Sequence, residues 1–187
     1  MKTRWQTKWL GLDVSGNVQL QELADQAEKF CGRWAKNNTA KSLLVIVGEV
    51  RTGKSHVARK IFRFCHTAAF TAFESQHWGT RAIPSSLFLL WPEVVAALSE
   101  KNRSVMEDAF ATDLLVLDDV GADHDPWKIG GDALCQIMSR REDKFTVITT
   151  NIQTGQWMER FDQRVGDRLL RNSVVVDLSK VPPYRKP

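Results

Sequence analysis

The residues with the most definite chemistry stand together in one octapeptide, Gly48-Glu49-Val50-Arg51-Thr52-Gly53-Lys54-Ser55, which fits G-x-x-x-x-G-K-[ST] at every fixed position. Glycine at both ends lets a backbone turn tightly. Successive N–H groups can then face inward, and the start of a following helix adds its positive dipole end, so the loop suits a polyphosphate. Lys54 brings a charge that reaches β and γ phosphates, and Ser55 a hydroxyl for Mg²⁺. Glu49, Val50, Arg51 and Thr52 complete the cradle, with His56 next to it. The chain has no N-K-x-D tetrapeptide for guanine, so ATP is the expected nucleotide.

A phosphate loop needs a carboxylate for the metal. The apolar run Leu114 to Leu117, followed by Asp118 and Asp119, supplies one at the end of a strand. Asp118 is expected to hold Mg²⁺ through water, and Asp119 to polarise the attacking water. A second apolar run ends in Thr149-Thr150-Asn151, which brings the Asn151 amide to the same edge to orient that water against the γ-phosphate.

These groups meet only if the chain alternates strand and helix. Apolar runs LLVIV (43–47), SLFLLW (86–91), DLLVLDD (113–119), KFTVITTN (144–151) and SVVVDL (173–178) read as strands. Between them lie helical stretches: Lys54 to about Cys65, PEVVAALSEK from Pro92, Lys128 to about Arg141, and WMERFDQRVGDRLLR from Trp157. Continuous apolar strands alternating with helices predict an α/β fold, a parallel five-stranded sheet covered on both faces. Ligands bind such sheets outside the carboxyl ends of the strands. Ahead of the first strand, Leu20, Leu23, Ala24, Ala27, Phe30, Cys31 and Trp34 recur at helical spacing, predicting a helix that packs on the domain.

Length and composition set the outer limits. A chain of 187 residues, 43% hydrophobic and 26% charged, is that of a cored globular protein. Residues 1–40 are expected to form an N-terminal extension with one amphipathic helix, and 41–187 the nucleotide domain. No apolar run approaches the roughly 20 residues of a membrane span, and no apolar segment follows the basic N-terminus, so a cytoplasmic, non-membrane protein is expected. Cys31, Cys65 and Cys135 are odd in number and widely spaced, which argues for buried free thiols rather than disulfides or zinc. The net charge of +4 admits an anionic partner without requiring one. Eight Lys/Arg against one acid between Arg33 and Arg63 are explained in part by the nucleotide.

The order P-loop, SLFLLWPEVVAAL, LLVLDDVGAD, TVITTN and QRVGDRLL resembles the AAA+ ATPases of the DnaC/IstB group, the helicase loaders and transposition helpers related to DnaA. The resemblance covers about residues 41 to 185. It implies that Gly48, Gly53, Lys54 and Ser55 are Walker A, Asp118 and Asp119 Walker B, and Asn151 sensor 1. Arg168 matches the arginine finger, which acts from a neighbouring subunit and so implies a homo-oligomer; Arg164, four residues earlier on the same helical face, is the alternative. The stretch from Trp91 to about Phe110 resembles an insertion that contacts single-stranded DNA, with Lys101 and Arg103 as phosphate contacts. Trp5 and Trp9, among Lys2, Arg4 and Lys8, form a second candidate contact. The implied activity is Mg-dependent ATP hydrolysis in DNA replication, beside a replicative helicase. An IstB-like transposition helper acting on a transposase, and a non-hydrolysing ATP-dependent adaptor, are the alternatives. Three departures from the group are expected: a short N-terminal extension of about 40 residues in place of a separate domain, an AAA+ core without the C-terminal helical lid, and Asp119 where AAA+ proteins often have Glu.

Overall fold

A computed structural model describes residues 10–11, 13–74, 84–122, 129–161, 163–170 and 173–183, with the backbone alone described at 69–74. Lys2, Arg4, Trp5, Lys8, Trp9 and Lys128 lie outside them. The elements in chain order are α1 (Val18–Ala35), β1 (Leu43–Val47), α2 (Lys54–Glu74), β2 (Ser86–Leu90), α3 (Trp91–Ser99), α4 (Ser104–Ala111), β3 (Leu114–Val120), α5 (Ile129–Arg140), β4 (Phe145–Thr150), α6 (Trp157–Arg160), α7 (Gln163–Leu170) and β5 (Ser173–Asp177). All five strands are parallel, in the order β2-β3-β4-β1-β5. The central β1, β3 and β4 are covered on both faces, which is why their residues run apolar without alternation.

Two cores divide the helices between the faces. On one, α1 and α2 pack over Leu44, Ile46, Leu114, Val116 and Val147. On the other, α3 to α7 pack over Val45, Val47, Leu115, Leu117 and Ile148. The expected α1 face is buried at Leu23, Ala24, Ala27, Phe30, Cys31 and Trp34, and Asn17 caps its start by accepting from the Leu20 N–H at 3.1 Å. Phe30 and Trp34 meet Phe145 of β4 edge to face, with centroids 5.5 and 5.1 Å apart. Trp34, Trp91 and Trp157 are therefore core residues and offer no surface for base stacking. The thiols of Cys31 and Cys65 are buried 4.0 Å apart. Cys135 is only half buried, contrary to expectation; it lies on α5, where its sulfur accepts from Arg168 of α7 at 3.5 Å. Among the described residues no helix is long and apolar enough to cross a membrane.

Three elements differ from the sequence reading. The helix after the P-loop runs on to Glu74, well past Cys65. The stretch from Trp91 to Phe110 is two helices. The Lys101 backbone turns left-handed, φ 63°, and the Asn102 N–H returns to the Ala97 carbonyl at 2.9 Å, which closes α3; the Asn102 side chain then accepts from the Ser104 N–H and starts α4. The stretch from Trp157 is likewise two helices, preceded by a 3₁₀ turn at Thr154–Gln156. Here α6 folds against α7, and a Cβ on Gly166 would stand 2.9 Å from Met158 Cγ. A continuous helix could not make that contact.

Candidate functional site

The P-loop leaves β1 at Val47 and enters α2 at Lys54. Its first N–H, on Gly48, donates to the Thr150 carbonyl at 3.1 Å, which ties the loop to the end of β4. Glycine is required there: a Cβ would stand 2.8 Å from Leu178 Cβ and 3.1 Å from Thr52 Oγ1. Gly53 holds φ +95°, outside the range of L side chains, and Arg51 holds φ 67°. Glu49, Val50 and Arg51 are exposed at the rim, Thr52 and Lys54 are buried, and Ser55 is half buried at the first turn of α2. Thr52 Oγ1 and Lys54 Nζ both donate to the Glu49 carbonyl, at 2.9 and 2.8 Å. Exposed His56 pairs a ring nitrogen with the Leu10 carbonyl at 2.7 Å, fastening the N-terminal segment beside the loop.

Asp118 and Asp119 stand at the end of β3, as expected, one residue short of its last, Val120. The β3–β4 ladder slips between Leu117 and Val120, and Asp119 takes a left-handed backbone with φ 66°. This bulge adds one residue at the edge, with a strain of roughly 1–3 kcal/mol. Thr149 of β4 stabilises it. The Thr149 hydroxyl donates to Asp118 Oδ1 at 2.6 Å and accepts from the Asp119 N–H at 2.8 Å, so one side chain fixes both acids. No local pattern around Thr149 signals that role, because it depends on cross-strand register. Asn151 follows β4 directly and is half buried.

Electrostatics join the loop to the acids. Burial pulls Lys54 below the ordinary ammonium range, while Asp119, Asp118 and Glu49 pull it back up. Asp118 is almost fully buried, and Arg59 of α2 comes within 3.9 Å of its second oxygen. The residues fit a magnesium-bound nucleotide. A buried carboxylate with one oxygen free of hydroxyl donors suits a cation, and a buried ammonium on a neutral carbonyl can exchange it for a phosphate oxygen. The cradle also closes at Gly48, where a side chain could not fit.

Arg168 is elsewhere. It donates to Cys135 Sγ at 3.5 Å and lines, with Leu43, Arg141, Glu142, Arg164 and Asp167, a cavity of about 430 Å³. Leu43 opens β1, whereas the P-loop follows its last residue, so this cavity lies a strand's length away, about 15 Å at roughly 3.3 Å per residue. Arg164 shares that edge and is exposed. Neither arginine shares the sheet edge with Lys54 of its own chain. Lys101 and Arg103 are exposed at the α3–α4 turn.

Comparison with known proteins gives a consistent result. No family model and no curated protein matches the chain. Among solved structures, the DnaC helicase loader superposes with a TM-score of 0.65 at 17% identity, covering 91% of this chain and 98% of that one. DnaI gives 0.66 at 20% identity, covering 95% and 93%. The replication initiator DnaA bound to AMPPCP and single-stranded DNA gives 0.63 at 15% identity, covering 94% of this chain and 50% of that one. The parallel five-stranded sheet, with the glycine loop after β1 and the acids on β3, thus has the fold found in the DnaC helicase loader, DnaI and DnaA.

Proposed function

We propose that the chain is a Mg-dependent AAA+ ATPase of DNA replication, a DnaC-type helicase loader that binds ATP between two copies of itself and acts on single-stranded DNA or a helicase. The observation that supports this reading most is the division of charge between the two sheet edges. Lys54, Asp118, Asp119 and Thr149 converge on one, while Arg168 stands at the other, so Arg168 can complete the site only from a neighbouring copy.

In this mechanism the N–H groups of Gly48 to Ser55 hold the phosphates, and Lys54 leaves the Glu49 carbonyl for them. Ser55 and Asp118 hold Mg²⁺, which when bound neutralises charge on the phosphates. Asp119 takes up the proton side of the attacking water, and Asn151 orients it. Arg168 of the neighbour stabilises charge in the transition state, worth about 10³ to 10⁵ in rate for an arginine supplied in trans. A monomer is therefore expected to bind ATP and hydrolyse it slowly. The likeness to an initiator bound to single-stranded DNA, with Lys101 and Arg103 exposed together, supports the α3–α4 turn as the DNA contact.

The test is to mix Arg168→Ala with Lys54→Ala. Each is expected to be inactive alone, and the mixture to regain turnover through sites that pair an intact P-loop with an intact Arg168. No recovery between folded, assembling variants would remove the shared site. Turnover near zero in the wild type, with and without single-stranded DNA, would favour an ATP-dependent adaptor.

A further inference from the structure

The two oxygens of Asp118 keep different company. Oδ1 accepts the Thr149 hydroxyl at 2.6 Å. Oδ2 faces the Arg59 guanidinium, whose Nη2 lies 3.9 Å away; the Arg59 side chain is 58% exposed, that of Asp118 only 3%. At that distance the contact is electrostatic and not a hydrogen bond. In the same position the Arg59 guanidinium lies 5.7 Å from the Phe88 ring centroid on the edge strand β2, a cation–π contact it can keep without the carboxylate. A structural pair at a buried carboxylate is expected to be short and bidentate. This one is long, reaches out to solvent and is aimed at the group that fits a metal.

The geometry points to Arg59 as a displaceable counter-ion of the metal position: it neutralises Asp118 in the metal-free protein and keeps only Phe88 when a divalent cation takes the carboxylate. The inference rests on the reading of Asp118 as the metal ligand. Its physical basis is that two cations cannot both approach Oδ2 without repulsion, so Arg59 lowers the affinity for metal. The same positive charge attracts free phosphates. Removing it must therefore act in opposite directions on the metal and on metal-free nucleotide, a pair of signs that general loss of structure would not produce.

The experiment measures Mn²⁺ uptake with ADP by the electron paramagnetic resonance of free Mn²⁺, and ADP binding in EDTA by calorimetry, so that neither readout depends on turnover. Arg63→Ala, one turn further along the exposed face of α2, is the control for net charge. Arg59→Ala is expected to bind Mn²⁺ about two- to fivefold tighter at low salt, the range of an exposed ion pair. High salt is expected to shrink that gain. Its metal-free ADP affinity is expected to be lower, Arg63→Ala to resemble the wild type, and Arg59→Lys to fall between wild type and Arg59→Ala. Mn²⁺ affinity in Arg59→Ala equal to that of the wild type, or weaker, would overturn the counter-ion role and leave Asp118 as a ligand. A wild-type protein that adds nothing to the Mn²⁺ affinity of free ADP would overturn both.

Discussion

Two buried cations sit at opposite edges of the same sheet, and they are treated differently. Arg141, where the strands begin, is 2% exposed and donates to the Thr146 hydroxyl and to the carbonyls of Ala109, Thr112, Asp113 and Phe145. Each of its guanidinium nitrogens has an acceptor within the protein. It joins the end of α4, the start of β3 and the start of β4. Lys54, where the strands end, is 6% exposed, and its ammonium donates to the Glu49 carbonyl of its own loop. Burial lowers both: Arg141 is pushed down to about 10, with Asp113 opposing, and Lys54 falls below its usual range. The difference lies in what each charge is for. A buried cation with its donors satisfied inside the chain secures the fold, whereas one held by a single neutral acceptor has capacity left for an anionic ligand.

The largest effect that can break this contrast is at Arg141. Arg141→Met is expected to cost about 3–5 kcal/mol, since it strands several buried carbonyls, and urea unfolding should read it directly. Any protein still folded should bind nucleotide normally. A loss of nucleotide binding without loss of stability would reverse the assignment. Lys54→Met should do the opposite, weakening ATP by about 10- to 100-fold in calorimetry, the worth of a charge-assisted bond of roughly 1.5–3 kcal/mol, while stability holds or rises.

A smaller effect is expected at Thr149, which belongs to the ligand edge yet is fully paired. Thr149→Val leaves Asp118 Oδ1 and the Asp119 N–H without their partner, for about 1–3 kcal/mol of stability, and Thr149→Ser should restore it. If Thr149→Val lowers stability but leaves divalent-metal affinity untouched, Thr149 supports the bulge and not the metal position.

The smallest expected effect is in pH. Because Lys54 has a lowered pKa in the nucleotide-free fold, the unfolded chain binds a proton there that the folded chain has shed, and stability rises as pH climbs through the window below about 10.5. Arg141 adds a slope of the same sign above its own value, so the readout is the difference between wild type and Lys54→Met in urea unfolding from about pH 9 upward. Equal slopes would mean that the Lys54 ammonium is not desolvated.

The sequence by itself determined the phosphate loop, the acids on the third strand, the order of strands and helices, and the apolar face of α1. Each is local: glycine spacing, a short apolar run, or a helical period can be read without knowing what lies opposite. Tertiary structure decided the rest. Asp118 and Asp119 enter a bulge because of their register against β4, and only there does Thr149 meet both. The α3–α4 break at Lys101 is a left-handed turn closed by the Asn102 N–H on the Ala97 carbonyl, and α6 folds onto α7 where Gly166 leaves room for Met158. Arg141 was passed over as the end of a helix, yet it is an internal anchor, because its partners lie 29 to 32 residues away on α4 and the turn after it. The resemblance of QRVGDRLL points to Arg168, but only the fold sets it at the far edge of the sheet from the Lys54 loop of its own chain. Distance along the chain carries no information about which edge a side chain will share, and that is why the chemistry of the loop was legible and its surroundings were not.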